Sequence, residues 1–329
     1  MWKTLKIVAL VLLALVVGVI IWGWQSDRDA DSMKAKYTNA ASKFVDIGGG
    51  LKIHTRDEGK PDGPVLLLVH GSNASLHTWE PWVKLLGKDY RIISIDLPGH
   101  GLTGANLTRD YHYASFVAVV DKLMTAIQVP KFAIAGNSMG GGVAWQYALK
   151  HPDRVTAIGL IDAAGAPRWE ATTVPIGFRL ARMPIARDVM RYVTPRSVIA
   201  SSLKSSVSKK EIVTDAMIDR YWDLLLFPGN RQATIDRFAL RHNVEPASKL
   251  ALAAIRTPTL VMWGAEDGLI PVSSAQWFAS AIKDSKVIVY PGVGHIPMEE
   301  IPDQSAADMK AFLDAAIPKA SPAGVAPIR

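Results

Sequence analysis

The residues with the clearest catalytic potential surround Ser138. An apolar stretch at residues 132–135 leads into Gly-Asn-Ser-Met-Gly at 136–140, a G-x-S-x-G pattern, and a helical pattern follows at once. A serine on such a sharp strand-to-helix turn presents its hydroxyl at the N-terminus of the helix, where the helix dipole favours developing negative charge. The pattern alone arises by chance, but a strand before it and a helix after it make it predict a nucleophilic serine.

A nucleophilic serine needs a base to take its proton. Of the eight histidines, His295 is the strongest candidate, because it lies in a glycine-rich loop after the last strand-like stretch of the chain. A loop at that place can reach back over the serine. The chain has no cysteine, which excludes thiol catalysis, cysteine-ligated metals and disulfides. The sequence shows no cluster of metal-ligating residues, so we expect neither a metal nor an organic cofactor.

These residues must be positioned by alternating strands and helices. Continuous apolar runs, typical of strands buried on both faces, are followed by helical patterns through most of the chain. This alternation predicts an α/β fold with a mostly parallel central sheet and helices on both faces. The alternation breaks between about residues 165 and 250, where the pattern is helical and rich in arginine and proline, and we interpret this stretch as an inserted helical cap. The predicted strands occupy residues 65–69, 92–95, 132–135, 155–161, 259–263 and 287–290, after a hairpin formed by 44–47 and 51–55.

At this point the sequence resembles the α/β-hydrolase family, over about residues 44–316 apart from the cap. Three motifs besides the serine turn agree with the resemblance. His-Gly-Ser-Asn at 70–73 is similar to the family's oxyanion-hole loop, and Asp-Leu-Pro-Gly-His-Gly at 96–101 is similar to its D-x-P-G-x-G turn. Gly-Val-Gly-His at 292–295 resembles the loop that carries the catalytic histidine. The order and spacing of the motifs together make the resemblance specific.

The resemblance implies a catalytic triad of Ser138, Asp267 and His295. Asp267 ends Trp-Gly-Ala-Glu-Asp at 263–267, which resembles the loop that carries the acid in most members. Some members carry the acid after an earlier strand, and Asp162 is the alternative acid at that position. The acid would orient the imidazole and stabilise the imidazolium that forms when the serine loses its proton.

The resemblance also implies an oxyanion hole made of two backbone N–H groups. One belongs to Met139, the residue after the nucleophile, and the other to Ser72 in the 70–73 loop. His70 and His100 also belong to these motifs, where the resemblance gives them structural roles.

The implied activity is hydrolysis of a carboxylic ester, lipid-like esters included, through an acyl-enzyme. Epoxide hydrolases and haloalkane dehalogenases are disfavoured, because their turn carries aspartate where this chain has Ser138. Two alternatives stay open: a carbon–carbon bond hydrolase of the ring-cleavage type, and a non-catalytic ligand receptor on the same fold. The expected partner is a small-molecule ester or a lipid.

The N-terminus predicts a membrane anchor. Residues 7–24 are 18 uncharged and mostly apolar residues, preceded by Lys3 and Lys6. A helix of that length spans roughly 27 Å, close to the hydrocarbon core of a bilayer. We therefore expect residues 5–24 to cross the membrane once, with the catalytic domain on the outer, extracytoplasmic side. A cleaved signal peptide is the alternative, although bulky Trp22 and Trp24 stand where small residues precede a cleavage site.

The 329 residues divide into an anchor at 1–26, a linker at 27–43, a core at 44–164 and 251–318, a cap at 165–250 and a tail at 319–329. The cap carries most of the charge, since residues 166–250 hold 14 Lys/Arg and 8 Asp/Glu against a net +7 for the whole chain. Such charge is commonly a solvated face. The sharper alternative is that the cap lies against an anionic membrane surface, with Arg179, Arg182, Arg187 and Arg191 sharing one helix face. Nucleic acid is not expected as a partner, because no recognition motif is present.

Overall fold

The computed structural model describes residues 2–167, 183–240 and 247–317. Eight strands form one sheet in the order β1-β2-β4-β3-β5-β6-β7-β8. β1 pairs antiparallel with β2, and β2 pairs antiparallel with β4, whereas all the other pairs are parallel. The predicted mostly parallel sheet is thus confirmed. The strands are β1 Ser42–Asp46, β2 Lys52–Gly59, β3 Val65–Val69, β4 Arg91–Ile95, β5 Phe132–Asn137, β6 Val155–Ile161, β7 Thr259–Gly264 and β8 Lys286–Tyr290.

Helices cover both faces of this sheet, and further helices precede it and interrupt it. The N-terminal helices are α1 Trp2–Gly23 and α2 Ala30–Tyr37. The helices of the core are α3 Glu80–Leu86, α4 Tyr113–Ala126, α5 Met139–Lys150, α10 Lys249–Leu252, α11 Ser273–Ala281, α12 Pro297–Glu300 and α13 Pro302–Ala316. Between β6 and β7 lie α6 Pro184–Met190, α7 Arg196–Ser206, α8 Asp215–Leu225 and α9 Asn230–Leu240.

The strand β3 shows why an uninterrupted apolar run was needed. Leu67 and Val69 point into a core shared with α4, α5 and α11, while Leu66 and Leu68 point into a second core shared with α3 and α13. All four side chains are fully buried. Each such burial contributes roughly 1.5–3 kcal/mol, so both faces of the strand stabilise the sheet.

The sheet topology brings the candidate catalytic loops to one edge. β3 lies between β4 and β5, and the loops after β3, β5, β6, β7 and β8 all leave from the carboxyl ends of parallel strands. Ligand sites in open α/β sheets form at this edge. Residues 70–73, Ser138, Asp162, Asp267 and His295 are placed there.

The helices α6–α9 form an insertion, hereafter the cap, over that edge. Its arginines are engaged with neighbouring acids: Arg196 pairs with Asp215 and Asp219, and Arg220 pairs with Glu299 at 2.8 Å. Much of the cationic charge therefore holds the cap together and onto the core. Of the four arginines expected on one helix face, Arg179 and Arg182 lie outside the described residues. The tail predicted at 319–329 lies outside them as well.

The N-terminal stretch forms a single 22-residue helix, α1. Within the described part of the chain, no helix was found that is both long and apolar enough to cross a membrane. The transmembrane helix predicted for residues 5–24 is therefore not supported by the structure.

The predicted linker at 27–43 is structured and contacts the cap. Asp29 caps α2 by accepting a hydrogen bond from the backbone N–H of Ser32 at 2.8 Å. Residues 24–37, hereafter the cap-contacting segment, converge on the buried carboxylate of Asp223 in α8. Polar composition alone predicted a tether, but distant acids and bases in the cap give these polar side chains fixed partners. Asp223 accepts hydrogen bonds from Arg28 at 3.2 Å, Lys36 at 2.7 Å and Tyr37 at 2.9 Å.

Candidate active site

Ser138 stands on the turn between β5 and α5, in the backbone conformation that the sequence pattern requires. Its angles are φ 53° and ψ −114°, a left-handed conformation that strains any residue with a side chain. Its N–H donates to the carbonyl of Ile161 at 2.9 Å, and its own carbonyl accepts from Gly142 and Ala164. These bonds hold the strained turn in place. The side chain stays partly exposed at the top of the sheet.

Glycines let the neighbouring loops approach this turn closely. A Cβ at Gly140 would lie 2.1 Å from the carbonyl oxygen of Val69, and one at Gly71 would lie 2.8 Å from Asn137 Oδ1 and 3.3 Å from Ser138 Cβ. No side chain fits into these gaps. The loop after β3 is therefore in direct contact with the serine turn.

His295 and Asp267 form a buried hydrogen-bonded pair. His295 Nδ1 lies 2.7 Å from Asp267 Oδ2, and both residues are at most 7% exposed. The other carboxylate oxygen, Oδ1, accepts from the backbone N–H groups of Leu269 and Ile270. With the acid held in this way, Nδ1 donates its proton to Asp267 and Nε2 is left as the basic nitrogen.

Asn137 links the histidine loop to the serine turn. Its Nδ2 donates to the carbonyl of His295 at 2.9 Å and to that of Ile161 at 3.2 Å. The structure therefore brings the loop that carries His295 onto the residue next to Ser138. This role of Asn137 was not evident from the sequence, because the x positions of a G-x-S-x-G pattern carry no signal of their own.

Asp162 lies beside the pair and does not replace Asp267 in it. It is fully buried, and its Oδ1 accepts from the N–H of Gly264 at 2.9 Å. Burial, reinforced by the neighbouring charge of Asp267, raises the pKa of Asp162 well above its usual value. The structure thus pairs His295 with Asp267, and it places the alternative acid next to them as a carboxyl group that favours its neutral form.

Three potential metal ligands meet at this place. Atoms of Asp162, Asp267 and His295 lie within 4.8 Å of one another. The bond between His295 Nδ1 and Asp267 already uses one atom of each, so an acid–base chain accounts for the cluster.

The amide of Met139 directly follows the serine in the chain, and that of Ser72 lies in the loop that contacts the serine turn. Ser72 lies in the loop after β3, and Met139 is the first residue of α5. Among the described residues, neither N–H has a hydrogen-bond acceptor. Two such amides next to a nucleophile suit an oxyanion hole.

His70 and His100 support the loop that contains Ser72. His70 Nδ1 donates to the carbonyl of Gly71 at 2.7 Å, and its Nε2 accepts from the N–H of Leu97 at 3.0 Å. The ring of His100 packs 4.9 Å from that of His70. Burial lowers the pKa of both imidazoles, so they act as neutral supports.

A second buried histidine–aspartate pair, His54 and Asp96, stabilises the turn at residues 96–101. The carboxylate of Asp96 accepts from His54 at 2.7 Å and from the N–H groups of Leu76 and Leu102. Burial alone would raise the pKa of Asp96, but the hydrogen bond from His54 and the electrostatic interactions with His54 and the neighbouring histidines together outweigh burial and bring that pKa to about 2. This charged anchor explains the aspartate of the D-x-P-G-x-G turn.

The cap contacts the catalytic loops on two sides. The N–H of His295 donates to the carbonyl of Ser206 at 2.7 Å. Glu300 accepts from the N–H groups of Ser208 and Lys209 in the cap and from that of Gly294 in the histidine loop. On the other side, cap helix α9 bonds to the loop after β3. Neither Glu300 nor the residues of α9 lie in a motif that the sequence analysis could use.

A cavity of about 120 Å³ lies between the cap and the loop after β3. Ser72 and Asn73 border it on the core side, and cap side chains enclose it on the other. Those side chains are mostly apolar, among them Leu203, Leu225, Ile235 and Phe238. The cavity therefore suits an apolar group of a substrate whose reacting carbon lies near Ser72.

Comparison with known proteins defines the class. The family model for the alpha/beta hydrolase fold matches residues 64–302, which is more than half of the chain. The chain therefore belongs to the α/β-hydrolase family, as the motifs predicted. Lipase 3 of Moraxella sp. is 27% identical to it over 285 residues, covering 83% of this chain and 84% of that lipase. Family membership and relatives of this kind support a hydrolase.

Two solved structures extend the comparison. A membrane phospholipase A, described as a bacterial virulence factor, has a TM-score of 0.72 at 26% identity and covers 95% of this chain and 99% of its own. A meta-cleavage product hydrolase from Pseudomonas fluorescens has a TM-score of 0.74 at 24% identity, covering 84% of this chain and 100% of its own. At that identity the second likeness shows the fold alone.

Proposed function

We propose that the protein is a serine hydrolase that cleaves a carboxylic ester through an acyl-enzyme. The observation that carries the proposal is the 2.7 Å bond between His295 Nδ1 and Asp267, next to the strained turn of Ser138. Nε2 of His295 takes the proton of the Ser138 hydroxyl as its oxygen attacks the ester carbonyl. Asp267 stabilises the imidazolium that results.

The remaining steps use the same groups. The N–H groups of Ser72 and Met139 stabilise the oxyanion of the tetrahedral intermediate. The imidazolium of His295 then gives its proton to the leaving alcohol, and the acyl group stays on Ser138. A water molecule, deprotonated by His295, attacks the acyl-enzyme and releases the acid.

An ester with an apolar acyl or alcohol part fits this site best. The cavity lining is mostly apolar. Similar proteins include Lipase 3 of Moraxella sp. and a membrane phospholipase A. Both facts support a lipid-like substrate, and hydrolysis of p-nitrophenyl esters of increasing chain length would define its preferred length.

Replacing the nucleophile tests the proposal directly. Ser138→Ala is expected to abolish labelling by a fluorophosphonate probe and to lower kcat for p-nitrophenyl butyrate by about 10⁴–10⁶-fold, because no other hydroxyl stands on the strained turn. Ser280→Ala serves as the matched control, since Ser280 is exposed on α11. A wild-type protein that does not label would point to the receptor alternative. Labelling that persists in Ser138→Ala would show that another residue is the nucleophile.

The substrate that the protein turns over distinguishes the ester proposal from the carbon–carbon bond hydrolase alternative. The meta-cleavage product hydrolase resembles this chain in fold alone, so it adds no support for that chemistry. A protein that labels at Ser138, turns over a ring-cleavage dienoate and leaves esters intact would replace the ester proposal.

We propose separately that α1 attaches the enzyme to a membrane, with the catalytic domain on the extracytoplasmic side. The support is the uncharged run at residues 7–24 after Lys3 and Lys6. Large apolar side chains of α1 are also exposed, among them Trp2, Leu5 and Ile21. The similar membrane phospholipase A covers nearly the whole chain. Contact between the basic cap and anionic lipid stays a prediction, since several of the cap's arginines already pair within the protein.

A further inference from the structure

We propose that Arg237, on cap helix α9, is a positioning residue that holds the oxyanion loop in its working conformation. The cap would then be part of the catalytic apparatus as well as a roof over the pocket. This inference rests on the proposed hydrolase function, in which the N–H of Ser72 stabilises the oxyanion.

The first observation is the set of bonds between α9 and residues 72–73. Arg237 Nη2 donates to Ser72 Oγ at 3.0 Å and to Asn73 Oδ1 at 2.6 Å. Thr234, one turn earlier on α9, donates its hydroxyl to the same Asn73 oxygen at 2.9 Å. Arg237 is only 5% exposed, so water competes little for these bonds. Hydrogen bonds from a guanidinium group are about twice as strong as bonds between neutral groups.

The second observation is the backbone of Asn73. Its φ is 59°, in the left-handed region that residues with a side chain rarely adopt. Asparagine tolerates this conformation better than most residues, but the conformation still has to be stabilised against the ordinary one. The two bonds to its side-chain oxygen do this from outside the loop. They fix the turn that follows Ser72, and with it the direction of the Ser72 N–H.

The third observation is the charge that Arg237 brings to this place. The imidazoles of His70 and His100 lie beneath the loop, and burial followed by the nearby Arg237 charge lowers the pKa of His100 well below its ordinary value. The guanidinium of Arg237 therefore lies beside the oxyanion loop with neutral histidines on its core side. A fixed positive charge close to a developing oxyanion stabilises the transition state more than the ground state.

It follows that the cap and the oxyanion loop are coupled. A displacement of α9 that takes Arg237 away from the loop removes both restraints on Asn73 at once. Turnover would then require the cap to be seated, even for a small ester that does not fill the apolar cavity.

The test compares substitutions of Arg237 with a control elsewhere in the cap. Arg237→Met is expected to lower kcat for p-nitrophenyl acetate by about 10–100-fold, somewhat less than the loss of a whole oxyanion donor, with KM changed less than about threefold. Inhibition by an alkyl boronic acid, whose serine adduct mimics the tetrahedral intermediate, should weaken by the same factor as kcat/KM falls. Arg237→Lys should recover part of the rate. Arg196→Met, which removes an ion-paired cap arginine away from the loop, should keep wild-type kinetics.

A second variant removes the acceptor without touching Arg237. Asn73→Gly keeps a residue that adopts the left-handed backbone freely and deletes the side-chain oxygen. It should lower kcat by a similar factor, and the double variant with Arg237→Met should lose less than the product of the two single losses. Thermal unfolding of each variant separates this effect from a general loss of stability.

Three results would overturn the inference. Wild-type kcat in Arg237→Met would show that the loop keeps its conformation unaided. A rise in KM alone would make Arg237 a substrate-binding residue instead. Equal losses in Arg237→Met and Arg196→Met would indicate cap instability. A wild-type enzyme that neither labels nor hydrolyses esters would instead overturn the proposed function, and this inference with it, so the two failures are distinguishable.

Discussion

At the residue scale, the acid pair behind His295 is the most unusual feature of the site. Asp162 and Asp267 lie side by side, and only Asp267 is bonded to the histidine. Two charged carboxylates at that distance would repel each other. Burial and the charge of Asp267 raise the pKa of Asp162 well above its ordinary value, which favours the neutral form of Asp162 beside the carboxylate of Asp267.

Asp162→Asn is therefore expected to be mild, because a neutral amide replaces a neutral acid. We expect kcat to fall less than about tenfold, whereas the matched variant Asp267→Asn should lose about 10⁴-fold through the wrong histidine tautomer. Ester hydrolysis at pH 7 measures both variants. A loss in Asp162→Asn as large as in Asp267→Asn would show that Asp162 carries the charge instead.

The same substitution has a signed effect on stability. A carboxyl whose pKa rises on folding binds its proton more tightly in the folded state, so it destabilises the fold increasingly as pH rises above its ordinary value of 3.8. The free-energy gain of Asp162→Asn over wild type should therefore grow from pH 4 to pH 7. Urea unfolding at several pH values measures it, and a gain that shrinks with pH would contradict the raised pKa.

Sequence motifs identified the candidate catalytic residues that lie in short loops after strands. They missed residues that act through contacts with distant parts of the chain. Ser138, His295 and Asp267 each follow a strand in a short, patterned turn, so sequence alone could place them. Arg237 and Glu300 carry no pattern. Their partners lie up to 165 residues away in the chain, and only the folded arrangement makes them neighbours.

At the element scale, the N-terminal segment behaves as part of the cap. Residues 27–43 were predicted as a linker because they are polar, yet polar groups in the cap-contacting segment, residues 24–37, are bound within the fold. Arg231 of α9 donates to the carbonyl of Gln25 at 2.7 Å and pairs with Asp27. Trp24 stacks on Tyr192 with 4.8 Å between ring centres. Composition could not reveal these contacts, since a solvent-exposed linker and a segment that packs on the cap contain the same types of residue.

Asp223→Ala tests the strength of this contact. The change removes the acceptor for Arg28, Lys36 and Tyr37, and we expect the free energy of unfolding to fall by about 1–3 kcal/mol. Urea unfolding measures the change. Asp215→Ala is the control, because its carboxylate is 87% exposed and its pair with Arg196 should contribute less than about 1 kcal/mol. Equal effects of the two substitutions would show that the segment adds no stability to the cap.

At the scale of the whole molecule, the positions of the strands followed from the sequence far better than the arrangement of the cap did. Runs such as residues 65–69 predict strands because both faces of a parallel sheet are buried. The cap offers no such constraint, since short helices pack in many ways and the helical pattern does not fix which face meets the core.

The proposed membrane attachment is tested with the full chain and one deletion. Full-length protein should stay in the membrane fraction after extraction at pH 11, and deletion of residues 2–23 should release a folded, active protein that keeps the cap-contacting segment. Mass spectrometry of the full-length protein checks that the N-terminus is retained. Recovery of the full-length protein in the soluble fraction, or of a chain shortened by cleavage, would contradict the proposal.

The carboxylate of Glu300 has a consequence for engineering. It accepts hydrogen bonds from the backbone N–H groups of Ser208 and Lys209 in the cap and of Gly294 in the histidine loop, so one side chain connects the cap to the catalytic core. A chimera that receives its cap from another hydrolase, in order to change substrate range, would leave this acid buried without its donors. Successful grafts will need to carry matching amides at the junction, together with an equivalent of Arg237. A cap that is exchanged in this fold must therefore match the core at two contacts, those of Glu300 and Arg237, as well as at the two places where its chain joins the core.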